Sequence, residues 1–119
     1  MKKTLGALAL ESLTTIAPAK ADCRFIPFRF IWGQNASATL NCTGSGQFRW
    51  LPRMGPASTV TGLSISSPAK NGVASANRSY LLYTPKAGFK GADGFSMTIS
   101  GTGRNGAGQS GVNVTVHLQ

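Results

Sequence analysis

Few side chains in this 119-residue chain are suited to acid–base or nucleophilic chemistry: three acids, one histidine and two cysteines. Glycoside hydrolysis normally uses two positioned carboxylates, and beyond the first 21 residues only Asp22 and Asp93 remain. A triad would have to combine a serine with His117 and Asp93, but no G-x-S-x-G elbow presents the serine. His117 also falls on the outward side of an alternating strand. Gly101-Thr102-Gly103-Arg104-Asn105-Gly106 matches G-x-G-x-x-G, whose bare backbone cradles a pyrophosphate when a helix opens directly after it. Here Ala107 to Gly111 lead into another strand, so a hairpin loop is expected. The sequence predicts a protein that is not an enzyme and needs no cofactor.

Cys23 and Cys42 can be read as free thiols, half a metal site or a disulfide. With no histidine nearby they cannot fill tetrahedral zinc. In an exported domain their pairing would close a loop of about 20 residues and add about 3 kcal/mol. No metal site is expected.

Export is predicted from residues 1–21, which read as a secretory signal peptide. Lys2 and Lys3 give its positive start, Leu5 to Leu10 its apolar run, and Ala19-Lys20-Ala21 the small-x-small pattern for cleavage after Ala21. Glu11 interrupts the apolar stretch, and an amphipathic helix that stays attached is the alternative. The run is too short to span a bilayer, which takes about 20 apolar residues. Asp22 stands where a lipid anchor on Cys23 would need a small residue. The predicted location is periplasmic, extracellular or on the cell surface. Loss of Lys2, Lys3, Lys20 and Glu11 from a chain of charge +9 leaves nine basic and two acidic residues, a balance of +7.

The elements that position these residues follow from period-2 alternation, the signature of half-buried strands. Phe95, Met97 and Ile99 oppose Ser96, Thr98 and Ser100; Val112, Val114, Val116 and Leu118 oppose Asn113, Thr115 and His117. Ala36 to Cys42 alternates likewise, and shorter strands are predicted near 46–51 and 59–66. Arg78 to Thr84 is expected to be a central strand, and Arg24 to Trp32 the first, with Pro27 marking an edge or a change of sheet. Asn71-Gly72, Asp93-Gly94, the Gly-rich 101–111 segment and Pro52, Pro56, Pro68 and Pro85 punctuate the chain. No sustained helical period appears. Residues 22–119 are thus predicted to be one all-β domain, about seven strands in two antiparallel sheets packed face to face.

The segment Tyr83-Thr84-Pro85-Lys86-Ala87-Gly88-Phe89-Lys90-Gly91-Ala92-Asp93-Gly94-Phe95 resembles the Y-x-P-x-x-G-F-x-G-x-D-x-F signature of bacterial Ig-like domains found in tandem, cadherin-like surface arrays. Ser67 to Val73 resembles the family's P-x-x-G-x-V turn, and Val112 to Val116 its closing strand. The resemblance covers residues 63–116 and implies an Ig-like β-sandwich. Read physically, Tyr83 ends a strand that Pro85 stops. Gly88 and Gly91 permit a tight crossover, Phe89 and Phe95 anchor it, and Asp93 accepts backbone N–H bonds. Family members often add acidic residues that bind calcium, which needs six to eight oxygens; Gly101 to Arg104 stands here instead, and calcium is not expected.

Two binding functions follow. The first is an exported adhesion or assembly module acting by protein contacts or self-association. An added strand would lie along Phe25, Phe28, Phe30 and Trp32, although the domain's own core is the preferred place for these side chains. The alternative is a basic surface module for an acidic polysaccharide, lipopolysaccharide or nucleic acid. It would work through Arg24, Arg29, Arg49, Arg53, Lys86, Lys90 and Arg104, with Trp32 stacking on the ligand and Trp50 in the core. Asn35, Asn41, Asn77 and Asn113 fit N-x-[ST], which matters only in a eukaryotic secretory route.

Overall fold

The computed structural model describes residues 21–52 and 58–119. The predicted signal peptide up to residue 20, and Arg53, lie outside these residues. The described residues form eight strands and no helix: β1 (Asp22–Phe25), β2 (Ala36–Thr43), β3 (Phe48–Trp50), β4 (Thr59–Ser67), β5 (Gly72–Ala76), β6 (Leu81–Pro85), β7 (Gly91–Gly103) and β8 (Gly106–Leu118). They build a five-stranded sheet in the order β1-β2-β8-β7-β4 and a three-stranded sheet in the order β3-β6-β5.

The alternation of the sequence sets the inner faces. On β7 the inward row is Asp93, Phe95, Met97, Ile99 and Gly101, all buried; on β8 it runs from Ser110 through Val112, Val114 and Val116 to Leu118. Leu81 and Tyr83 of the second sheet are fully buried against this row. The Tyr83 ring stacks on Phe95 with centroids 5.6 Å apart, which joins the two layers. Cys23 and Cys42 face each other in the β1–β2 register and form a disulfide, with Cα atoms 4.0 Å apart.

Four expectations are corrected. The pairing is not all antiparallel: β8 pairs with β2 in parallel, Val112 opposite Ala36 through Leu118 opposite Cys42. The chain passes through the second sheet and across to β4 before it returns, so β8 arrives running the same way as β2. The strand expected over Arg24 to Trp32 ends at Phe25, because Pro27 has no N–H to continue the ladder. The strand expected over Arg78 to Thr84 starts only at Leu81, as β6, because Arg78 to Tyr80 belong to the turn from β5, in which Asn77 Oδ1 accepts the N–H groups of Ser79 and Tyr80. The Gly-rich 101–111 segment is mostly ladder, with Gly103 opposite Gly106 and only Arg104 and Asn105 forming the turn.

Candidate functional site

Residues 26–35 form a strap that leaves β1, crosses the inner face of the five-stranded sheet and feeds β2. Phe28, Phe30 and Trp32 pack on the core from this strap. Beyond Ile99 the inward row of β7 holds Gly101 and Gly103, and the Trp32 indole occupies the space they leave. A Cβ on Gly101 would lie 2.5 Å from Trp32 Cη2 and overlap the Thr59 carbonyl, and one on Gly103 would lie 2.8 Å from Trp32 Cδ1. No side chain fits there, so the G-x-G of the G-x-G-x-x-G match is the seat of a tryptophan. Polar bonds fix the strap: Ser110 Oγ accepts Gly33 N–H and donates to the Ile31 carbonyl, both at 3.0 Å, and Asn35 Oδ1 accepts Gly111 N–H. Trp32 Nε1–H donates to Ser58 Oγ at 3.4 Å.

Where the strap meets the β7–β8 turn, a cleft of about 390 Å³ opens. Its walls are Phe30, Ile31, Trp32 and Gly33 on one side and residues 103–108 on the other. Phe30 stands edge-on to Trp32, with centroids 5.0 Å apart. Arg104 and Asn105 are exposed at the rim. A second, smaller cleft of about 210 Å³ lies at the far end of the sheet beside Gly88, Phe89 and Lys90.

That far end carries the crossover. Gly88 and Gly91 have φ of 77° and 127°, the left-handed region that glycine enters without strain. Asp93, 8% exposed, accepts the Tyr83 hydroxyl at 2.7 Å and the N–H groups of Gly94, Lys70 and Asn71. The last two belong to the Ser67 to Val73 turn, so one carboxylate ties together the two stretches that carry the resemblance. Burial alone would push Asp93 up, but the Tyr83 hydroxyl and the three backbone donors overturn this and hold its pKa below the ordinary carboxylate value. Burial, then the hydrogen bond and charge of Asp93, push the Tyr83 phenol well up. His117 is exposed on the outer face while the Asp93 carboxylate is buried on the inner one, so the sheet separates the two residues a triad would need.

The six candidate polyanion contacts among the described residues are not gathered on one face. Lys86 and Lys90 flank the crossover and Arg104 caps the opposite end of β7, a strand of 13 residues and so about 40 Å long. Arg24 lies on edge strand β1, Arg29 on the strap, and Arg49 on β3 with its guanidinium 4.3 Å above the Tyr80 ring. The aromatic candidates for strand addition are absorbed by the core: Phe25 packs on Phe28, Phe48 and Trp50, and Phe30 on Trp32. Trp50, at the second-sheet end of this cluster, is half-buried.

The outer face of the five-stranded sheet was not singled out from the sequence. Its outward positions on β2, β8, β7 and β4 include Ser37, Thr39, Asn41, Asn113, Thr115, Ser96, Thr98, Ser100 and Ser64, without a single Lys, Arg, Asp or Glu. The signal was available in the polar halves of the alternating strands, which are hydroxyl or amide apart from His117. β4, nine residues long and uncharged, closes this sheet, and among the described residues its free edge pairs with no strand. No protein-family model matches the chain, and no curated protein sequence matches it.

Proposed function

We propose that residues 22–119 form an exported Ig-like β-sandwich that works by binding, and that it assembles by adding a strand of a second copy to β4. One observation supports the Ig-like reading and another the export. The sheet β3-β6-β5 and the run β8-β7-β4 have the order of the two layers of an Ig constant-type domain, and β2 beside β8 adds a parallel first strand. The disulfide fits an oxidising compartment such as the periplasm or cell surface.

The observation that carries the assembly reading is the edge itself. β4 is nine residues long, its outer edge is unpaired among the described residues, and it has neither a charge nor a proline, two of the devices that normally blunt an edge. The neighbouring outer face is equally uncharged, so two molecules of balance +7 meet with least repulsion along this side. The irregularities in register between Val60 and Gly62 and between Ile65 and Ser67 limit pairing to a short central stretch, which suits a reversible contact. The edge proposed from sequence, Phe25 to Trp32, is replaced by β4.

Native mass and light scattering of the mature chain over a concentration series test this. A concentration-dependent dimer is expected, and Ser64→Lys with Ser66→Lys, both at exposed positions, should return it to monomer without loss of fold. A strict monomer at about 1 mM, where even weak contacts of this affinity are populated, would overturn it.

A further inference from the structure

The geometry points to the cleft between the strap and the β7–β8 turn as a binding site for an acidic saccharide, its carboxylate held by Arg104 and its ring lying against Phe30 and Trp32. This inference rests on the cleft alone and stands whether or not β4 pairs.

Size and lining come first. At about 390 Å³ the cleft falls within the span of small-ligand sites, about 300–1,000 Å³. An aromatic wall of Phe30 and Trp32 faces a polar rim of Arg104 and Asn105. That division matches a sugar ring, which has apolar C–H faces and a polar edge. The wall is also preorganised: the indole is seated on Gly101 and Gly103 and held by Ser58, so binding need not order it.

Gly108 supplies a second, independent observation. Its φ is not positive, and a Cβ there would meet Trp32 Cβ at 3.5 Å, an ordinary contact. Neither conformation nor packing requires glycine at that position, unlike at Gly101 and Gly103. What a side chain on Gly108 would do is fill the cleft it lines.

The charge decides the class of ligand. One guanidinium at the rim suits one planar carboxylate, which it can grip through two parallel N–H donors. A nucleic acid needs a track of cations along its phosphates, and among the described residues Arg104 is the one basic residue lining the cleft: Arg29, on the strap, is outside the lining, and Lys86 and Lys90 are about 40 Å away along β7. Asn105 offers both a donor and an acceptor for ring hydroxyls.

The test uses the mature chain, 15N-labelled, titrated with trigalacturonate, with its fully methyl-esterified form as the uncharged probe and inorganic phosphate as the anion control. Shifts are expected at the amides of residues 103–108 and at the Trp32 indole N–H. Esterification, or Arg104→Gln on the exposed turn, should weaken binding by at least about tenfold, the change that a lost charged hydrogen bond brings. Gly108→Val should abolish it while the thermal midpoint stays put; should that variant misfold, the Arg104→Gln and ester comparisons decide alone. Equal binding of acid and ester, equal shifts with phosphate, shifts confined to Lys86 and Lys90, or no shift at about 10 mM, the limit of weak recognition, would each overturn the assignment.

Discussion

Replacing Tyr83 by phenylalanine removes one oxygen from the best-connected polar group of the fold. The ring is fully buried and its stack on Phe95 is kept, so the change isolates the hydroxyl. That hydroxyl donates at 2.7 Å to an ionised carboxylate that is 8% exposed. A hydrogen bond to a charged group contributes about 1.5–3 kcal/mol, and the carboxylate left behind is too enclosed for water to replace the donor freely. For a domain of this size the loss lowers the thermal midpoint by about 5 °C per kcal/mol, roughly 8–15 °C in all. The pH profile separates this mechanism from a general packing defect. Asp93 titrates below its unfolded value of about 3.9, so its contribution is present above that pH and is lost as pH falls through the lower folded value. Without the Tyr83 hydroxyl the folded value rises toward the unfolded one, so the acid loss is smaller and is complete at higher pH. The phenol titrates above its unfolded value of about 10, so its contribution is complete below that pH and is lost as pH rises through the folded value. The Tyr83→Phe variant has no phenol to titrate, and that part of the alkaline loss disappears. Urea denaturation from pH 2 to 12 reads both limbs; a variant within about 0.5 kcal/mol of the parent, the scatter of neutral surface changes, or limbs that superimpose on the parent's, would refute the reasoning.

Glycine positions on β7 and β8 should respond unequally. Gly101→Ala drives a methyl into the Trp32 ring and the Thr59 carbonyl and should cost about 1–3 kcal/mol by chemical denaturation. Gly108→Ala meets only ordinary contacts and should stay within about 0.5 kcal/mol, so equal effects would contradict the Trp32 seat. Reduction of Cys23–Cys42 should remove about 3 kcal/mol, seen as a lower urea midpoint in reductant; an unchanged midpoint would show that the β1–β2 ladder closes the loop without it.

Where alternation was strict, sequence reading and structure agree closely. Phe95, Met97, Ile99, Val112, Val114 and Val116 face inward, each with a hydroxyl or amide neighbour facing out. The failures have a common cause: the inner layer is partly irregular. Arg24 to Trp32 has the composition of a strand, but its aromatic side chains all pack on the core, Phe25 against Phe48 and Trp50 of the second sheet and Trp32 against Gly101 and Gly103. Gly101 to Gly111 has the composition of a loop, yet its glycines are in the ladder, and at Gly101 and Gly103 an indole occupies the volume a side chain would take. Neither local sequence contains the other, and only the fold brings the two together. The cleft was illegible for the same reason, since Trp32 and Arg104 belong to segments that each looked complete.

The tapering of the β7 row therefore links the architecture to the proposed chemistry. Large side chains from Phe95 to Ile99 need a second layer, and β6 with the strap provides it. From Gly101 onward the row has no side chains, so the layers would collapse together were Trp32 not wedged between them. The wedge is a flat ring, and a flat ring on a bare backbone leaves its outward margin open where the turn carries Arg104 and Asn105. A bulkier residue at Gly103 would displace the ring, and one at Gly108 would fill the gap. The glycines thus act at two levels, with Gly101 and Gly103 fixing the aromatic wall and Gly108 keeping the space before it. A selection that retained Trp32 only for stability would tolerate a side chain at Gly108, and binding measured on the Gly108→Val variant separates those two pressures.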